Sequence, residues 1–212
     1  MEKKFSPLSV QELRTLHANK RDAIRTRLDE FSDIAQSEYF YEFVYCLLTP
    51  QSSAVNAEKA VRLLRERDFL NTPTDPEPLL HQEQFYIRFH KTKARHLLTL
   101  KEQFSFVARY LMNGSSSYDL REWLVGNVKG FGWKEASHFL RNIGHRNLAI
   151  LDRHILKNLK RCGVIRRLPA SLTPKRYKSI EQKFQRFSEN VGIPMDELDL
   201  LFWSMETGEI LK

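Results

Sequence analysis

Residues 124–140 read LVGNVKGFGWKEASHFL, and this segment leaves the backbone few routes. An apolar helix ends near Val128, and Gly130 and Gly132 follow two residues apart. Glycine enters left-handed backbone without steric cost, so the pair permits a tight reversal with uncovered amide N–H groups. A second helix starts at once, with Ala136 four residues after Gly132 where the two helices would cross. Its N-terminal amides and dipole meet the turn amides at one place, which suits a phosphate oxygen. Lys129 adds positive charge beside them.

The rest of the chain is also written in helical period. Leu13, Leu16, Ile24, Leu28 and Phe31 recur at helical spacing from Ser9 to about Ala35. Residues 37–48 are apolar nearly all round, as in a buried helix that stops at Pro50. Ser52 or Ser53 caps the next helix, and the three prolines of residues 71–78 form a loop. Further helices are expected from Lys91 to Met112, Tyr118 to Asn127, Trp133 to Ile143, and Asp152 through Leu159. Two more lie near 173–190 and 195–207. The apolar run Leu148–Leu151 suits extended backbone but is too brief to build a sheet. The class is therefore all-α, with about ten helices.

The formal net charge of +8 points to nucleic acid or an anionic membrane surface, although a merely basic soluble protein has the same charge. No apolar run approaches the roughly 18 residues of a membrane span, and the start has no apolar signal region. No membrane partner is expected. Cys46 and Cys162 are the two cysteines, read as reduced core thiols of a cytoplasmic protein. Two cannot supply the four thiolates of an iron–sulfur cluster, and the seven histidines show no metal-ligand spacing. Neither cluster nor catalytic metal is expected.

Gly-x-Gly alone often marks a plain turn between helices. With apolar helices on both sides and Ala136 at the crossing, it matches the helix–hairpin–helix motif of DNA-binding proteins. Lys134 falls in the first turn of the second helix, where a cation is misplaced in the helix field. That placement favours the neutral amine a nucleophile needs, but a solvated lysine or a phosphate contact fits equally. Asp152 follows eighteen residues later. It reads as a helix N-cap, and also as a carboxylate placed to orient a lysine or stabilise a cationic transition state.

Residues 124–156 resemble the DNA glycosylase superfamily that joins a helix–hairpin–helix to a Gly/Pro-rich loop and an aspartate. Its bifunctional members have lysine two residues after the second hairpin glycine, here Lys134, and an aspartate just under twenty residues on, here Asp152. The chain departs from the pattern in lacking a proline between Gly144 and Asp152, and in having Lys129 where many members have proline. Two other segments are similar as well. Leu47–Ser53 resembles the turn whose Gln51 fills the gap left by an extruded base. Arg88–Ala94 resembles the turn before a long helix. The missing cysteines and the chain end at Lys212 are most similar to the short prokaryotic 8-oxoguanine DNA glycosylase/AP lyases.

This resemblance implies two helical lobes with a DNA cleft between them: residues 37–145 with Lys134, and residues 1–36 plus 146–212 with Asp152. It implies a monomer working on nucleoid DNA of a prokaryote, with duplex DNA containing 8-oxoguanine as partner. Lys134 attacks C1′ and forms a Schiff base, and β-elimination cuts the strand. Lys129, Gly130, Gly132 and His154 hold phosphates, although His154 also suits a solvated helix face. Phe89 and Trp203 stack on the base, unless they are core aromatics, and Lys212 reads it, unless it is a frayed terminus. Three other readings stay open: a relative acting on other oxidised bases, a non-catalytic DNA-binding module, and a basic helical adaptor.

Overall fold

The protein is described by a computed structural model covering residues 6–210, among which lie nine α-helices. They are α1 (Val10–Ser32), α2 (Tyr39–Leu48), α3 (Ala54–Glu66), α4 (His90–Leu111), α5 (Ser117–Asn127), α6 (Trp133–Asn142), α7 (Arg153–Arg161), α8 (Pro174–Val191) and α9 (Met195–Thr207). The class is all-α. Local chemistry sets most starts. Ser9 and Glu12 cap α1 reciprocally, Ser53 caps α3, and Thr173 caps α8 with Pro174 in its first turn. One feature has no counterpart in the sequence reading: a two-residue hairpin, β1 (His81–Gln82) with β2 (Phe85–Tyr86). Strands this short carry no detectable period. Among the described residues no helix is long and apolar enough to cross a membrane.

The chain forms two compact units. One is Ile34–Phe139; the other runs up to Asp33 and resumes at Leu140. The boundaries expected from the resemblance, 36/37 and 145/146, lie a few residues further along the chain. In the central unit α2 packs on α3 and α4 and is buried along nearly its whole length. Its core is aromatic. Phe43 stacks on Phe139 at 3.6 Å between ring centroids and lies 5.1 Å from Phe131, while Phe40 meets Phe104 edge-on at 5.0 Å.

The second unit is built on α9, which packs on α1, α7 and α8. Leu198, Leu200, Leu201 and Phe202 are buried there, and so are Asp196, Glu197 and Asp199. Each carboxylate has a partner. His17 Nε2 and Arg25 Nε lie 2.6 and 3.1 Å from Glu197, Arg141 Nη1 donates to Asp199 Oδ2 at 3.1 Å, and the Asn147 amide donates to Asp196. Burial pushes the Asp199 carboxyl up to about 7; the Arg141 charge opposes this, and Asp152 and Asp196 add to it. The Asp199 pKa is raised on folding. The stability it contributes is therefore full below the unfolded value near 3.8 and is lost as pH rises through about 7.

Arg141→Met leaves Asp199 buried without its cation, which is expected to cost about 3–5 kcal/mol. The deficit should be larger at pH 8, where Asp199 is ionised, than at pH 5. Urea unfolding at both pH values measures it, and equal deficits would contradict this role for the pair.

Candidate active site

The hairpin expected at residues 124–140 is present, and packing more than turn hydrogen bonding fixes it. Val128 ends α5 in extended backbone, the Phe131 amide donates to Val128 O, and Gly130 takes φ +87°. A Cβ at Gly130 would run into His96 Nδ1 and Leu47, so only glycine lets the turn lie against α4 and α2. Phe131 and Phe139 sit in the Phe43 cluster, and Ala136 is fully buried. Burying one phenylalanine contributes roughly 1.5–3 kcal/mol, against about 1 kcal/mol for a turn hydrogen bond. The aromatic pair therefore dominates. Arg121, also buried, lies over the Trp133 ring at 4.8 Å and holds the first residue of α6.

Gly132 O accepts the first bond of α6, from the Ala136 amide, which puts Lys134 at the second helical position. Its side chain is a quarter exposed, and Nζ lies 3.2 Å from Glu135 Oε1. The Gly132 amide donates to the other Glu135 oxygen at 3.1 Å. Lys129 and Gly130 stand exposed on the turn.

Gln51 and Phe89 occupy two strained turns of the same unit, at φ 57° and 61°, where non-glycine residues are uncommon. Such strain persists only where surrounding structure enforces it. Here the enforcing groups are Lys93 and Ser52. Lys93 is 5% exposed and donates to Leu48 O and Pro50 O, each at 2.7 Å. Ser52 Oγ accepts from the Arg88 amide at 3.0 Å and from Lys93 at 3.4 Å, tying the Gln51 turn to the Phe89 turn. Burial, then the charge of Lys134, lowers the Lys93 ammonium to about 8, against an opposing effect of Glu135. The Phe89 ring is half exposed, with the Arg88 guanidinium 4.9 Å from its centre.

Asp152 belongs to the other unit and is held by both its oxygens. Before it, residues 148–151 run buried, outside any helix or strand. Side chains satisfy this backbone instead: Glu181 accepts from the Ala149 amide, and the Tyr177 hydroxyl donates to Ala149 O and accepts from the Leu151 amide. Asp152 Oδ1 then accepts from the His154 and Ile155 amides at 2.8 Å, capping α7. Its Oδ2 accepts from Trp203 Nε1 at 2.9 Å. The indole thus carries a polar contact that the stacking expectation did not include. His154 meets the Trp203 ring edge-on at 5.3 Å, and its Nδ1 lies 3.8 Å from Glu206. Lys212 lies outside the described residues.

Gln51, Phe89, Lys129, Gly130, Gly132 and Lys134 therefore share the central unit, whereas Asp152, His154 and Trp203 share the other. Lys93 and Glu135 join these residues in the structure without having stood out in the sequence. Burial of a long side chain at Lys93 leaves no local signal. For Glu135, its place three residues after the cap position is the one available clue.

A glycine hairpin seated between two helices, with a lysine in the first turn of the second, defines a helix–hairpin–helix protein. Comparison with known proteins narrows the class. A family profile described as 8-oxoguanine DNA glycosylase matches residues 24–193, and the chain belongs to that family. The 8-oxoguanine DNA glycosylase/AP lyase of Fusobacterium nucleatum is 39% identical over 95% of this chain and 96% of its own length. That of Korarchaeum cryptofilum is 38% identical over 91% of each chain. The crystal structure of Methanocaldococcus jannaschii 8-oxoguanine glycosylase/lyase, in complex with a 15mer DNA containing 8-oxoguanine, is 31% identical. It matches with a TM-score of 0.84 over 96% of this chain and 99% of that one.

Asparagine caps helices about as well as aspartate. Its single acceptor oxygen, however, cannot serve the α7 amides and the Trp203 indole together, so Asp152→Asn should cost about 1–3 kcal/mol of stability while slowing base excision on a lesion-bearing duplex by roughly tenfold or more. Thermal melts and single-turnover kinetics separate the two effects. Wild-type rates in the variant would reduce Asp152 to a cap.

Proposed function

We propose that this chain excises 8-oxoguanine from duplex DNA and then cuts the strand at the emptied sugar. The observation that carries the reading is Lys134 at the second position of a helix opened by a glycine hairpin, in a family whose bacterial and archaeal relatives are named 8-oxoguanine DNA glycosylase/AP lyase. The target base is paired and stacked, so it must first be extruded. Gln51 fills the space it leaves, and the backbone strain at Gln51 supports a purpose beyond connection. Hairpin amides at 129–132 and His154 hold phosphates. Phe89 and Trp203 offer ring faces to the base, and Lys212 reads its oxidised edge.

Lys134 Nζ, as the free amine, attacks C1′, and the bond from C1′ to the base breaks. The base leaves with a proton, and the opened sugar remains joined to Nζ as a Schiff base. Loss of a C2′ proton then expels the 3′ phosphate oxygen, which cuts the strand on that side. Asp152 stabilises the positive charge that develops on the sugar. Its two anchored oxygens support this role, because a carboxylate already oriented needs no reorganisation when charge appears. The scheme uses no cofactor, in line with a cysteine count too low for a cluster. Chromosomal DNA in a prokaryotic nucleoid is the expected place of work.

Duplexes with one defined lesion test the substrate. An 8-oxoguanine:C duplex should be cut in preference to duplexes with an oxidised pyrimidine or no lesion, and Lys134→Gln should lower cutting by roughly a thousandfold or more while lesion binding persists. No cutting of the 8-oxoguanine strand by wild-type protein would overturn the proposal.

A further inference from the structure

The Glu135 carboxylate is shared between two groups to which the proposed reaction gives separate work. One oxygen accepts from the Gly132 amide at 3.1 Å, and the other lies 3.2 Å from Lys134 Nζ. The carboxylate sits so closely over the turn that a Cβ on Gly132 would come within 2.8 Å of it. Both side chains are mostly shielded from solvent, with Glu135 at 15% and Lys134 at 25% exposure. The charges around them form one group, because the buried Lys93 ammonium feels both Lys134 and Glu135.

A phosphate oxygen and a carboxylate oxygen make the same demand on a backbone N–H. The Gly132 amide cannot serve both fully, and two anions at one helix start repel each other. Whatever moves the Glu135 carboxylate away from Gly132 also changes its hold on Lys134, since one planar group makes both contacts. A lysine held by a carboxylate is kept as ammonium, and an ammonium has no lone pair with which to attack.

We propose that Glu135 is a positioning residue that restrains the nucleophile. Its carboxylate occupies the hairpin amide and holds the Lys134 ammonium, and a DNA phosphate arriving at the hairpin displaces it from both. Lesion binding and release of the amine are then one event, and the lysine is restrained away from DNA. This rests on the reading of Lys134 as the nucleophile.

Glu135→Gln removes the charge but keeps an acceptor for the Gly132 amide, since glutamine serves at this position of a capping box as well as glutamate does. Glu135→Asp keeps the charge on a shorter arm. Wild-type protein is first shown to bind and cut an 8-oxoguanine duplex; failure there overturns the underlying reading and not this inference alone. With an uncleavable abasic-analogue duplex at low salt, Glu135→Gln should bind about three- to tenfold more tightly than wild type, and Glu135→Asp should not. In single-turnover cutting at protein concentrations well below saturation, where the profile reports the free enzyme, the limb that marks loss of the nucleophile's proton should move to lower pH in Glu135→Gln and stay near wild type in Glu135→Asp. Equal affinity and an unmoved pH limb in Glu135→Gln, with melting unchanged, would make Glu135 a helix cap only and overturn the proposal. If Glu135→Gln fails to fold, the decision passes to Glu135→Ala, which also removes the charge: tighter binding and a lowered pH limb support the proposal, and wild-type values overturn it.

Discussion

Phe43 and Leu47 lie one helical turn apart on α2, and the hairpin rests on that face. Phe43 takes the rings of Phe131 and Phe139, and Leu47 lies so near the Gly130 turn that a Cβ there would come 3.0 Å from it. The end of the same helix is fastened by Lys93, whose ammonium binds the carbonyls of Leu48 and Pro50. From that point Ser52 reaches the Arg88 amide and fixes the turn of Phe89. The hairpin amides, Lys134, Gln51 and Phe89 thus all depend on one buried helix. A dry aromatic core suits this purpose, because close-packed rings tolerate little displacement and pass that rigidity to the turns they carry.

The unit that holds Asp152 is organised differently. Its segment 148–151 is buried yet belongs to no helix or sheet, so its polar groups need individual partners. Glu181 and Tyr177 from α8 supply them, with Asp196 from α9 binding the Asn147 amide just upstream. Buried carboxylates are costly unless well bonded, and the raised pKa of Asp199 is the visible sign of that cost. In return Asp152 emerges with both oxygens oriented. Packing places one candidate residue and polar bonding places the other.

Much of this was legible in the sequence because it is local. Glycine spacing located the hairpin, apolar period gave the helices, and Asp152 was readable as a cap that the structure bears out. The Leu148–Leu151 run read as extended and is free of sheet pairing. What escaped depends on distant partners. Lys93 finds its carbonyls 45 and 43 residues away, and Trp203 reaches Asp152 across 51 residues. The β1–β2 hairpin is too short to leave a pattern. Glu135, the side chain next to Lys134, lies within ion-pair distance of its Nζ, a contact between neighbours that the residue spacing does not announce.

The central claim is that Lys134 forms a covalent bond to the sugar. Borohydride reduces a lysine Schiff base to a stable amine, so incubating the protein with an 8-oxoguanine duplex and borohydride, then mapping the cross-linked peptide, tests it directly. The account predicts one protein–DNA adduct, on the peptide containing Lys134. An adduct on Lys93, the lysine held near 8 by burial, or no adduct from protein that cuts the strand, would contradict it.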